Sequence, residues 1–92
     1  MKAKIIEKTK NGIKIELEGE GHTFCNLLQH TLLQDKTVEM AGYDIPHPLI
    51  SNPILLIRMV GNTSPEKALA RALSTIKDTT NTFLSEFEKA TK

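Results

Sequence analysis

Among its 92 residues the chain has no tryptophan, one tyrosine, three phenylalanines and a single cysteine. One cysteine rules out an intrachain disulfide and fits a reducing compartment. Phe24, Tyr43, Phe83 and Phe87 are too few and too dispersed to form a base-stacking platform. Charge is not concentrated either. Twelve Lys and Arg stand against eleven Asp and Glu, with five Lys and four Glu in residues 1–20 and five basic and four acidic residues in 62–92. Recognition of a phosphate backbone needs a Lys/Arg stripe, so no direct contact with nucleic acid is expected. No apolar run approaches the roughly 20 residues of a membrane span, and the N-terminus lacks the basic-then-apolar pattern of a signal peptide. The expectation is a soluble, intracellular domain without a membrane partner. A hydrophobic content of 39% is low for an isolated globule. A chain this short buries only about 60–65% of its unfolded surface, so a subunit that completes its core against a partner fits better.

What is present reads as one α+β domain spanning residues 1–92. Lys2 to Glu7 is a strand carrying Ile5 and Ile6. Asn11-Gly12 tolerates positive φ and predicts a tight hairpin turn. Ile13 to Glu18 then alternates apolar and polar, the mark of a strand with one buried face. A two-residue Asn-Gly loop would set Lys8 and Lys10 opposite Ile15 and Ile13. A slightly longer loop sets Ile5 opposite Leu17, and the hydrophobic pattern favours that register. Gly19-Glu20-Gly21 ends the strand. A helix follows from His22 or Thr23 to Gln34, with Phe24, Leu27, Leu28, Thr31 and Leu32 on one face. Val38 to Ile45 is a third strand, interrupted by Gly42. Pro46-His47-Pro48 must leave regular structure. Ile54 to Val60 is a fourth strand whose near-continuous apolar run predicts burial on both faces or nearly so. The order is ββαββα, with no internal repeat.

The last third of the chain reads as one long helix, Thr63 to Ala90. Either the Thr63 or the Ser64 hydroxyl can cap it, with Pro65 in the first turn; with Thr63 as cap, Glu66 sits three residues on as in a capping box. Leu69, Leu73, Ile76, Thr80, Phe83 and Phe87 recur in alternating steps of four and three, the seam spacing of a packed helix pair. Such a helix is roughly 40 Å long, whereas a seven-residue strand spans only about 23 Å. Ala68 to Ile76 should therefore lie on the chain's own sheet, and Thr80 to Phe87 should overhang and meet a partner.

No constellation performs a reaction. Cys25 falls in the first turn of a predicted helix, where a thiol's pKa is lowered, and His22 and His30 are near in sequence. Neither His is oriented by an obvious carboxylate, and no oxyanion donor is identifiable. Cys25 reads as a small buried hydrophobe. His22, Cys25, His30 and His47 lack the two tight ligand pairs of a zinc site. Lys67, Arg71, Lys77, Asp78, Glu88 and Lys89 mix signs, as a solvated helix face does. The expected catalytic, metal, cofactor and small-molecule assignments are all none.

Three segments carry a resemblance. His22-Thr23-Phe24-Cys25-Asn26-Leu27-Leu28 resembles the Asp-His-Thr-Leu-Gly-Asn-Leu-Leu-type motif of the small assembly subunits of DNA-directed RNA polymerase, archaeal subunit L and its eukaryotic counterpart, the eleventh subunit. Tyr43 followed by Pro46-His47-Pro48-Leu49 is similar to the family's Tyr-x-x-Pro-His-Pro-Leu segment. Thr63-Ser64-Pro65-Glu66-Lys67-Ala68-Leu69 is similar to the opening of its last helix. The three fall in the family's order and cover essentially the whole chain.

The resemblance implies a four-stranded, mainly antiparallel sheet with two helices, like the dimerisation domain of the bacterial alpha subunit. It implies a non-catalytic subunit that heterodimerises with a larger alpha-like subunit, the pair forming a platform on which the large catalytic subunits assemble. The implied location is the cytoplasm, or the nucleus for a eukaryotic source; the lack of extensions leans archaeal. Phe24, Leu27, Leu28 and Thr31 on the first helix, with Ile76, Thr80, Phe83, Leu84 and Phe87 on the second, are the expected partner interface. Part of the first set must also cover the chain's own sheet. Three sites depart from the family pattern. Gly21 stands where Asp is usual, leaving Thr23 as a possible cap, and Cys25 replaces a Gly. Gln29-His30 occupy the place where bacterial alpha carries an Arg pair that grips a large subunit. The alternative reading is a homodimeric interaction module of the same fold, unrelated to transcription.

Overall fold

The computed structural model describes residues 2–19, 21–45 and 52–91; the expectations placed on Pro46, His47, Pro48 and Leu49 lie outside them. The elements are β1 (Lys2–Lys8), β2 (Gly12–Glu18), α1 (His22–Leu33), β3 (Val38–Asp44), β4 (Ile54–Met59) and α2 (Pro65–Ala90). The strands form one sheet in the order β1-β2-β4-β3, antiparallel throughout. Both helices lie on one face of it, giving the expected ββαββα two-layer body.

The core is the seam between these layers. Ile13, Ile15 and Leu17 of β2 and Leu55, Ile57 and Met59 of β4 point at the helices, and Val38 and Ala41 of β3 join them. Cys25, Leu28 and Leu32 of α1 close it, with Ala68 and Ala72 of α2. Cys25 is wholly buried there, as a packing residue would be. The strict alternation of β2 is thus used as predicted. The apolar run of β4 is not. Its in-facing residues are buried, but Ile54 and Leu56 are only half-buried and Arg58 is exposed. Antiparallel sheets can leave one face open to solvent, and no second layer covers this one among the described residues.

The hairpin differs from the expectation in a way that has a steric cause. Its tip is Lys10-Asn11, closed by Thr9 N–H donating to the Gly12 carbonyl at 2.9 Å, one residue before the predicted Asn-Gly pair. Neither Asn11 nor Gly12 adopts positive φ. Gly12 is needed instead for close approach: a Cβ there would stand 3.2 Å from the Ile57 carbonyl oxygen and 3.1 Å from Thr9 Oγ1. Asn11 carbonyl meanwhile accepts from Met59 N–H, so the turn is clamped onto β4. A tight tip alone would place Ile6 opposite Ile15. A bulge between Ile5 and Glu7 shifts the ladder and sets Ile5 opposite Ile15, not Leu17 as expected. Ile5 still faces the helix side, yet it is 56% exposed, because it lies on the edge strand outside the buried core of β2, β3 and β4. In β3, Gly42 does not interrupt pairing but sits opposite Leu56; the irregularity falls between Val38 and Met40. Gly19 at φ 89° and Gly61 at φ 62° supply the left-handed residues that end β2 and open the turn into α2.

Of the two hydroxyls able to cap α2, Ser64 does so: its Oγ accepts from Lys67 N–H, with Pro65 at the first helical position. Thr63 donates instead to the Val60 carbonyl. The third helical residue is then Lys67, so Glu66 cannot close a capping box. Its carboxylate accepts from Ser64 Oγ and pairs with Lys8 at 3.1 Å, and the Lys8 and Ser64 hydrogen bonds hold its pKa below the ordinary carboxylate value. At α1 the cap position is Gly21, which offers no side chain, and Thr23 lies inside the helix without substituting for it.

Candidate functional site

Long α2 is treated differently along its length. From Pro65 to Ile76 it packs on α1 and the sheet. Ala68 and Ala72 are buried, small enough for close approach, and Leu69 and Ile76 are partly buried against the core. Arg71 fastens this half to the turn after α1: its guanidinium donates to Asp35 Oδ2 at 2.8 and 2.9 Å and to Thr37 Oγ1 at 3.0 Å. Thr37 hydroxyl and backbone N–H also donate to Asp35 Oδ1. These bonds, Thr37's first and Arg71's after them, hold the Asp35 carboxyl at about 2 against an ordinary 3.8. No local signal announces the cluster, because Asp35 and Arg71 are far apart in sequence.

From Lys77 to Ala90 every residue is exposed. This segment extends past the body, and its apolar stripe has no cover among the described residues. Phe83 is 71% exposed, Leu84 52% and Phe87 55%. The two phenyl rings stack at 6.4 Å between centroids and 12° between planes, a one-turn pair along the helix. Thr80, one step back on the stripe, donates its hydroxyl to the Ile76 carbonyl.

The α1 residues divide. Leu28 is 1% exposed and belongs to the chain's own core, so it is removed from the expected partner set. A helix face one residue wide cannot serve both layers, and Leu28 points at the sheet. Leu27, the next residue round, is exposed; Phe24 is half-buried beside the core, and Thr31 is half-buried with its hydroxyl donating to the Leu27 carbonyl. Leu73, on the α2 seam but left out of the expected set, is exposed as well; its place in the four-three spacing was the signal that could have found it. Of the motif residues, His22 Nδ1 and the Tyr43 hydroxyl share a hydrogen bond of 2.9 Å, with the rings edge to face. The pair ties the start of α1 to the end of β3. Thr23 and Asn26 are exposed.

Among the described residues no group of His, Cys, Asp and Glu is placed to hold a metal ion, and no helix is long and apolar enough to cross a membrane. His30 is hydrogen-bonded to Gln34 rather than turned toward Cys25. The feature that stands out is an uncovered apolar helix stripe continuous with a packed one. A two-layer α+β body that extends such a stripe beyond itself is a protein-interaction module.

Comparison with known proteins narrows the class. The family described as the RNA polymerase Rpb3/Rpb11 dimerisation domain matches residues 12–86. DNA-directed RNA polymerase subunit Rpo11 of Methanocella arvoryzae is 40% identical over all of this chain and 99% of its own length. The Rpo11 subunit of Archaeoglobus fulgidus is 42% identical over 94% of this chain and 99% of its own. The crystal structure of DNA-directed RNA polymerase subunit L from Thermoplasma acidophilum superposes with a TM-score of 0.86 at 30% identity, covering 96% of this chain and 86% of that one. The chain belongs to the Rpb3/Rpb11 dimerisation-domain family.

Proposed function

We propose that this chain is a small, non-catalytic subunit of a DNA-directed RNA polymerase whose task is to pair with a larger alpha-like subunit. The observation that carries the reading is the exposed stripe of Phe83, Leu84 and Phe87 on a helix end where every described residue is exposed. Burying an aromatic or leucine side chain contributes roughly 1.5–3 kcal/mol, so these three residues supply a hydrophobic centre for a heterodimer. Leu27 and Leu73 widen it toward the body, with Phe24, Thr31, Ile76 and Thr80 along its inner margin. Membership of a family described by its dimerisation supports the same reading. The paired subunits then act as the platform on which the large catalytic subunits assemble, in the cytoplasm of an archaeal-type cell.

Replacing Phe83 and Phe87 with Ser should abolish binding to the larger subunit while leaving the circular dichroism of the isolated chain largely intact. Undiminished affinity in the double variant would place the interface elsewhere. The homodimeric alternative is separated by the native complex: polymerase subunits should co-purify with this chain, and a two-copy assembly without them would favour the alternative.

A further inference from the structure

The overhang has a second peculiarity besides its apolar stripe. Its first turns read Asp78-Thr79-Thr80-Asn81-Thr82, five consecutive residues from the weak end of the helix-propensity scale. Thr is stiff at χ1, and Asp and Asn compete for the backbone's hydrogen bonds. Helices of fewer than about 12–15 residues are marginal in water even when alanine-rich. Lys77–Ala90 must be helical with all its side chains exposed. Within it the described interactions are the Phe83–Phe87 stack, the Lys89–Glu86 pair at 3.6 Å between two exposed groups, and hydroxyl bonds to the helix's own carbonyls such as Thr80 to Ile76. The packed half has a side-chain N-cap, a buried alanine face and the Arg71 cluster; the overhang has only the Thr91 C-cap, with no buried face and no such cluster among the described residues.

Resting on the heterodimer reading above, we propose that the segment beyond Ile76 is only partly helical in the free chain and completes its helix against the larger subunit. The residues on the back of the overhang thereby set the affinity of an interface they do not touch. Asp78, Thr82 and Ser85 are those residues. At 100° per residue they lie opposite the Thr80–Phe83–Phe87 stripe, so a change there alters the ordering of the helix and not the contact it makes. A binding surface that must fold as it binds has a lower affinity than the same surface preformed. The low propensity of the run thus keeps the free subunit from holding a rigid apolar blade in solution.

Two measurements decide this. Hydrogen exchange on the isolated chain should show Ala68–Ile76 amides protected and those of Asn81–Ala90 exchanging near the unprotected rate, with protection appearing there once the larger alpha-like subunit of the same source is added. Equal protection of both halves in the free chain would overturn the proposal, and this arm needs no partner. In the second arm, the triple variant Asp78→Ala, Thr82→Ala, Ser85→Ala should gain helicity and bind the larger subunit about tenfold more tightly. Asp78→Gly with Thr82→Gly should weaken binding by a similar factor while the body stays folded. Unchanged affinity in both variants would overturn it. Failure of the wild-type chain to bind the larger subunit at all would instead sink the heterodimer reading, while exchange on the free chain would still decide the ordering.

Discussion

The two halves of α2 are one continuous helix in two different solvents. Pro65–Ile76 has the inside of a protein on one side; Lys77–Ala90 has water on all sides. The composition follows the environment. In the packed half the residues nearest the core are Ala68 and Ala72, small because the helix must approach its neighbours closely. Along the seam itself Leu69, Leu73 and Ile76 of the packed half give way in the overhang to Thr80, Phe83 and Phe87, with Leu84 beside them, all exposed. A seam that stays apolar beyond its own body has the composition of an interface.

Mutations should separate the halves. The largest effect is expected from a pair of opposite changes: Ala68→Leu forces extra volume into a closed contact and should destabilise the isolated chain by about 1–3 kcal/mol. Leu84→Ala removes an exposed side chain, improves helix propensity slightly and should stay within about 0.5 kcal/mol. Urea unfolding of the two variants measures both. Similar losses would erase the distinction between the halves.

The packed half should also have its own pH dependence. Folded Asp35 is held at about 2, below its ordinary 3.8, so the folded state keeps it ionised where the unfolded chain protonates it. Its contribution is complete above the unfolded value and is lost as pH falls from about 4 toward 2. Asp35→Asn should lower stability at pH 7 by about 1.5 kcal/mol, the lower end of the range for hydrogen bonds to a charged group, with half-exposed Arg71 adding little of it. The variant should show a flatter acid limb in thermal melts between pH 4 and 2. An unchanged limb would mean that Arg71 and Thr37 do not hold the helix through Asp35.

The smallest effect falls on α1, the helix beneath the packed half. Gly21 has the extended backbone of a cap, φ −116° and ψ −167°, open space where a Cβ would go, and no acidic residue follows in the first turn. Gly21→Asp should therefore stabilise by about 0.5–1 kcal/mol through a capping bond and the helix dipole, read as a small rise in melting temperature. A loss would mean that the bare N-terminus of α1 is occupied by something a carboxylate displaces.

Local pattern carried much of this structure. The alternation of Ile13, Ile15 and Leu17 names the buried face of β2 without knowledge of its neighbours, since a period of two leaves only one choice. Helix periodicity likewise located α1 and α2 to within a residue or two at their starts, and the mismatch between helix length and strand length foretold the overhang. Pattern failed where two plausible partners competed for one group. Thr63 and Ser64 both suit a cap, and the choice depends on how the chain leaves Gly61. Ile5 could face Ile15 or Leu17, and the choice depends on a bulge that absorbs the mismatch between a tight tip and the apolar register.

By itself, the sequence determined the order of the elements, the inward face of β2 and the existence of an apolar stripe longer than the body. These depend on residue spacing along one element, which the chain encodes directly. The tertiary structure alone decided that Leu28 serves the core while Leu27 remains exposed, that Gly12 is there for closeness to β4 rather than for its φ, and that Arg71 reaches Asp35 across the fold. Each of those depends on distances between elements far apart in the chain, which no local period contains.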